Sequence, residues 1–184
     1  MSRIRLPNPE TMTAEQRKVH DAVVAGRRGV APAPFLAWLA SPELADRAQR
    51  LGEFVRYDTT LPPRLSELAI LVVARHWTSQ YEWAVHKREA IKAAVAPDVI
   101  DAIARRRSPE DLLDDERAVF AFATVLNESR RVPDAIYRAA VAAIGERAVV
   151  ELVGILGYYS LISMTINAFE IDVPAEMKGE PLPS

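Results

Sequence analysis

The segment Ser79–His86 reads SQYEWAVH, and it holds the densest group of residues able to do chemistry. Glu82 and His86 are four residues apart, which on a helix puts both side chains on one face, one turn apart. A carboxylate beside an imidazole raises the imidazole pKa and orients its ring. That pair is the minimal equipment for a general acid or base at neutral pH. Tyr81 and Trp83 flank the pair and could wall a pocket. The same spacing also suits a surface Glu–His pair worth only about 0.3 kcal/mol. Glu67, just before the apolar run LAILVVA, is a second candidate. It is either a first-turn acid complementing the helix dipole after Pro62-Pro63, or a buried carboxylate with a partner. His76 could join Glu67, Glu82 and His86 in a carboxylate–histidine metal site. No HEXXH motif supports this, so no metal is expected. Tyr158, Tyr159 and Asn167 stand in the most apolar segment, where they either floor a polar pocket or serve ordinary packing.

These residues belong to a chain of 184 residues, 49% hydrophobic, which suits one domain with a sizeable core. The net charge of −2 offers no overall basic surface for phosphates, so nucleic acid is not an expected partner. Cysteine is absent, which removes disulfides, thiolate catalysis, Fe–S clusters and cysteine-ligated zinc. The opening MSRIRLPNPETM has no apolar core of signal-peptide length. Leu152–Phe169 carries no formal charge over 18 residues, near the lower limit of a membrane span. Its glycines, tyrosines, serines, Thr165 and Asn167, with acidic flanks, read instead as a buried helix of a soluble protein. No membrane partner and a cytoplasmic location are therefore expected. The clusters Arg105–Arg107 and Arg130-Arg131 are expected in solvent at helix ends.

Apolar residues recur at helical spacing and strand-like alternation is scarce, which predicts an all-α fold of eight or nine helices. Thr13 and Gln16 form a capping-box pattern opening a helix to about Arg28, with Gly29 as its stop. Ser41-Pro42 opens a helix expected to bury Leu44, Ala48, Leu51 and Val55. A strongly apolar helix covers Leu65–Trp77, and another, or its continuation after a kink, covers Gln80–Val95. Pro97, Asp114-Asp115, Pro133 and Glu146 open the remaining helices, the last running to about Phe169. Residues 1–60 are read as an N-terminal helical extension, 61–172 as the core and 173–184 as a proline-rich tail, within one compact unit. The apolar surface of Leu152–Phe169, Trp77 and Trp83 predicts burial between subunits of a homo-oligomer.

The segment RLSELAILVVARHWTSQYEWAVHKREA, Arg64 to Ala90, resembles the carboxymuconolactone decarboxylase family, in the alkylhydroperoxidase D-like superfamily. The likeness continues more loosely to about Phe169. In the peroxidase branch a glutamate precedes a CxxCxxxH motif by twelve residues. Glu67 matches that glutamate and His86 the histidine, but Ser79 and Glu82 fall where the two cysteines belong. Peroxide reduction by that route needs a thiolate nucleophile and a resolving thiol, so this chain cannot perform it. In the decarboxylase branch the stretch reads like HELxxHxRAA, and Glu82, His86 and Ala90 match, while Trp83 replaces the leucine. The resemblance implies an alkylhydroperoxidase D-like helical bundle, a trimer or hexamer, and no cofactor. It implies a lyase acting on a small carboxylated lactone or related carboxylic acid. Its catalytic residues would be His86, Glu82 and Glu67, with Tyr81, Trp83 and Ser79 shaping the substrate pocket. Another proton-transfer enzyme on the same scaffold, an isomerase or hydratase, and a non-catalytic binding or assembly protein are the alternatives.

Overall fold

Proline and polar caps divide the chain into helices joined by short turns. The structure is a computed structural model and describes residues 2–177, 179 and 181–183. Its helices are α1 (Ala14–Ala25), α2 (Ala33–Trp38), α3 (Pro42–Tyr57), α4 (Pro63–His76) and α5 (Gln80–Lys92). There follow α6 (Pro97–Ala104), α7 (Asp114–Ser129), α8 (Asp134–Ile144) and α9 (Glu146–Phe169), then a short 3₁₀ turn at Ala175–Met177. No strand occurs among the described residues. The fold is the expected all-α bundle.

α4 is the hub. Its residues from Leu68 to Arg75 are all buried, because α5, α6, α7 and α9 pack around it. A helix apolar all round can be stable only when neighbours cover every face. α9 is the second core helix, resting on α4 and touching α2, α3, α5 and α8. By length and composition α9 could cross a membrane, yet 61% of its apolar stretch is buried inside the protein. Two polar clusters fasten the frame. Arg64 at the start of α4 reaches Asp115 and Glu116 of α7 at 2.7 and 2.5 Å. Glu151 of α9 accepts hydrogen bonds from the backbone N–H and the hydroxyl of Thr60, both at 2.6 Å.

The helices differ from the sequence reading at the end of α1 and on the inward face of α3. The Thr13–Gln16 capping box forms, but α1 ends at Ala25, with Gly26 as its cap, before Arg28. α3 buries Ala45, Ala48, Gly52 and Val55, while Leu44 and Leu51 stay 47% and 46% exposed. The small residues face inward because α3 lies very close to α9, where a β-carbon at Gly52 would collide with Tyr158. The stretch after α4 is a true break, not a kink, because Thr78 adopts a left-handed backbone (φ 48°) that turns α5 back along α4. Ser79 N–H donates to the Ala74 carbonyl and Thr78 N–H to that of Arg75, which closes the end of α4.

Candidate active site

The reversal at Trp77–Ser79 lays α5 against α4, so a residue a few turns before it meets one a few turns after it. Glu67 on α4 and His86 on α5 are such a pair. His86 Nδ1 lies 2.7 Å from Glu67 Oε2, a distance at which the ring nitrogen donates its proton to the carboxylate. On the other side of the ring, Nε2 lies 3.4 Å from Glu82 Oε2, one helical turn away. The imidazole thus stands between two carboxylates. The ring is held edge-on against Tyr159 of α9, centroids 4.8 Å apart, and Tyr159 packs in the same manner on Tyr158 at 5.4 Å.

Burial gives the two carboxylates different characters. Glu82 is 4% exposed, and its Oε2 has no hydrogen-bond partner among the described residues. Burial raises its pKa, with Glu67 adding to the effect, while His86, Arg56 and Arg28 oppose it. Glu67 is the less buried of the two and is engaged with Nδ1. With Nδ1–H committed to Glu67, Nε2 can take a proton from Glu82 or return one. Such an arrangement can serve as a proton relay, in which an orienting carboxylate fixes the tautomer and a second group with a raised pKa carries the mobile proton.

Glu82 and His86 open into a cavity of about 470 Å³ between α2, α3, α5 and α9. Its walls also include Tyr81, Arg56, Arg28 and Tyr159. Arg56 is half-buried. Burial by itself would depress its pKa, but Tyr159, Tyr57 and Glu67 more than offset this and hold it as a cation within hydrogen-bonding reach of Tyr159. Burial raises the Tyr159 pKa strongly, so its hydroxyl stays protonated as a donor. Tyr158 is also held protonated by burial and lies beside Arg28. Two guanidiniums and a tyrosine hydroxyl lining the same cavity as Glu82 and His86 can hold a small anion while a proton is moved.

The sequence-derived candidates separate into two groups. Glu67, Glu82 and His86 come together, and Tyr81 lines their cavity. Trp83 points from another face of α5 into cavities beside the C-terminal segment. Ser79 is fully buried, with its hydroxyl unpartnered, at the N-cap of α5. His76 lies in a different cavity, with Arg75 and Arg106. Among the described residues no group of histidine and acidic side chains is arranged to hold a metal ion. Arg28, Arg56 and Tyr159 complete the walls. The two arginines carry no local motif, and only the pair Tyr158-Tyr159, polar residues in an apolar helix, hinted at this wall.

Residues 42–125 match the carboxymuconolactone decarboxylase family, a span that begins in α3 and ends in α7. No protein of curated function matches the chain in sequence. Solved structures share the fold at low identity. A peroxidase-related protein from Ralstonia eutropha JMP134, with an alkylhydroperoxidase AhpD core, is 18% identical with a TM-score of 0.79, covering 96% of this chain and 94% of its own. A peroxidase-related protein from Silicibacter sp. TM1040 is 16% identical with a TM-score of 0.76, covering 97% and 95%. A cysteine-to-alanine variant of the debrominase Bmp8, in complex with 2,3,4-tribromopyrrole, is 17% identical with a TM-score of 0.75, covering 96% of both chains. The family match over the α4–α5 hairpin and the shared helical architecture agree: residues 42–125 are similar to the carboxymuconolactone decarboxylase family, and the chain has the fold of AhpD-like helical proteins.

Proposed function

We propose that the protein is a cofactor-free lyase that decarboxylates a small carboxylated lactone or a related acid by proton transfer through His86, Glu82 and Glu67. The observation that carries this reading is the Glu67–His86–Glu82 relay at the edge of a cavity walled by Arg56 and Arg28. The arginines would hold the substrate's carboxylates. Breaking the bond between carbon and the departing carboxylate releases CO2 and leaves an electron pair. That pair delocalises through the substrate's double bond into the lactone carbonyl, whose developing oxyanion is steadied by a hydrogen-bond donor such as protonated His86. Glu82, its pKa raised by burial, or His86 itself then delivers a proton to carbon. Glu67 keeps the ring oriented throughout. A thiol route is excluded because the chain has no cysteine.

Assembly as a homo-oligomer belongs to the same proposal. α9 carries the exposed apolar residues Val150, Val153, Leu161 and Met164, spaced to form a stripe, and α3 exposes Leu44, Leu51 and Phe54. Apolar faces of this extent suit contact between subunits.

γ-Carboxymuconolactone in D2O is the first test. The proposal expects CO2 release and one deuterium bound to carbon in the product. An isomerase or hydratase would convert related lactone or muconate acids without CO2. Absence of turnover with all of these, and ligand affinity unaffected by His86→Ala, would identify a binding protein and overturn the proposal.

A further inference from the structure

We propose a second ligand site, for a phosphate group, in the cavity of about 260 Å³ between the end of α4, the turn after α6 and α7. Arg75, Arg106 and His76 would receive it. The site is separate from the relay cavity and does not rest on the proposed reaction.

Arg75 is the unusual residue. It is 4% exposed, yet it forms no ion pair with a carboxylate among the described residues, and its Nε is buried without a hydrogen-bond partner. Among the described residues its side-chain hydrogen bond runs from Nη1 to the Thr78 hydroxyl oxygen at 3.2 Å. The same oxygen accepts from Arg106 Nη2 at 3.1 Å. Two guanidiniums therefore converge on one neutral hydroxyl. Burial, and then repulsion from Arg106, depress the Arg75 pKa. An arginine cannot escape such a position by losing its proton, so the charge calls for an anion.

The surroundings are built to the same end. The Thr124 hydroxyl, on the cavity wall, is buried and unpartnered. His76 lines the cavity, and its pKa is lowered by burial and by Arg106, with Arg130 acting in the same sense and Glu128 opposing. Arg107 also lines the cavity but is engaged with Asp101 at 2.9 Å. Glu128 also lines the cavity, but neither Arg75 nor Arg106 forms an ion pair with it or with another carboxylate among the described residues, and two guanidiniums suit a phosphoryl group, which their planar forks match in shape. The cavity is smaller than the ~300–1,000 Å³ of sites for drug-sized ligands, as a phosphate or a small phosphomonoester requires.

Titration of the full-length protein with inorganic phosphate tests this, against sodium chloride at matched ionic strength, with the His76 imidazole followed by NMR and thermal unfolding in parallel. The expected result is a saturable shift of the His76 resonances, an upward move of its pKa and a higher Tm with phosphate only. Arg106→Gln, at an exposed position, should weaken binding at least about tenfold, the loss of one charge-assisted contact. Arg75→Met should abolish binding. Repeating the titration with glycerol 3-phosphate distinguishes a free-phosphate site from one that takes a phosphomonoester. Equal responses to phosphate and chloride, or undiminished binding by Arg106→Gln, would overturn the proposal.

Discussion

Replacing Gly52 by alanine should disturb the site through a single contact. An ideal β-carbon there would lie 2.1 Å from the Tyr158 hydroxyl oxygen and 2.5 Å from the ring carbon that bears it. Tyr158 is buried against Trp38 and Tyr159, so a stiff ring must move within a filled space. Overpacking of this kind costs about 1–3 kcal/mol. Alanine regains about 1 kcal/mol over glycine inside a helix. Since both the hydroxyl oxygen and the ring carbon bearing it are struck, the net loss should be about 1–2 kcal/mol, a fall in Tm of roughly 2–8 °C for a chain of this size. Thermal unfolding followed by circular dichroism measures it. With Tyr158→Ala as background the clash is gone, and Gly52→Ala should stabilise by about 1 kcal/mol, a coupling of roughly 2–3 kcal/mol between the two positions. A rise in Tm in the wild-type background, or the same loss in both backgrounds, would refute the reasoning.

Glu82→Gln should separate stability from activity. The folded-state pKa of Glu82 is raised, so its contribution is fully present below the unfolded pKa and lost as pH rises through the folded one. Each unit of that rise costs about 1.4 kcal/mol at neutral pH. The amide should therefore lift Tm at pH 7–8, flatten its pH dependence and lower kcat on the order of 100-fold; an unchanged pH profile of stability would contradict the burial argument. Arg56→Met should raise KM for an anionic substrate at least about tenfold and leave a neutral ester analogue little affected, as the loss of a charged contact predicts. Light scattering at micromolar concentration should give a multiple of the 20.4 kDa chain mass, and the single-chain mass would argue against subunit pairing through α9 or α3.

What the sequence revealed divides along local and long-range lines. Helix starts were legible because prolines, the Thr13–Gln16 box and Gly145 act within a few residues of themselves. α8 and α9 lie where Pro133, Gly145 and Glu146 place them. Glu82 and His86 declared themselves because both stand on one helix. The partnership of Glu67 with His86 depends on Thr78 turning the chain back, and no spacing rule announces a left-handed threonine. Arg56 and Arg28 reach the cavity only through tertiary packing, since charged residues in α3 and in a loop look like solvent-facing ones until α9 is laid beside them. The inward stripe of α3 was misjudged for the same reason: a close approach of helices selects small residues, against the usual preference for leucine. Arg106 likewise read as a helix-end charge, and only its meeting with Arg75 at Thr78 distinguishes it.

The central claim is that His86, oriented by Glu67 and coupled to Glu82, moves a proton for a substrate held in the relay cavity. The most direct measurement is kcat of His86→Ala, with γ-carboxymuconolactone tried first. Circular dichroism and light scattering establish that fold and assembly are kept. His86→Ala should lose on the order of 100-fold or more in kcat. A double variant with Glu82→Gln should be little worse than the worse single one, because groups acting as one unit are not additive. An active preparation that keeps its full rate without His86 would contradict the central claim.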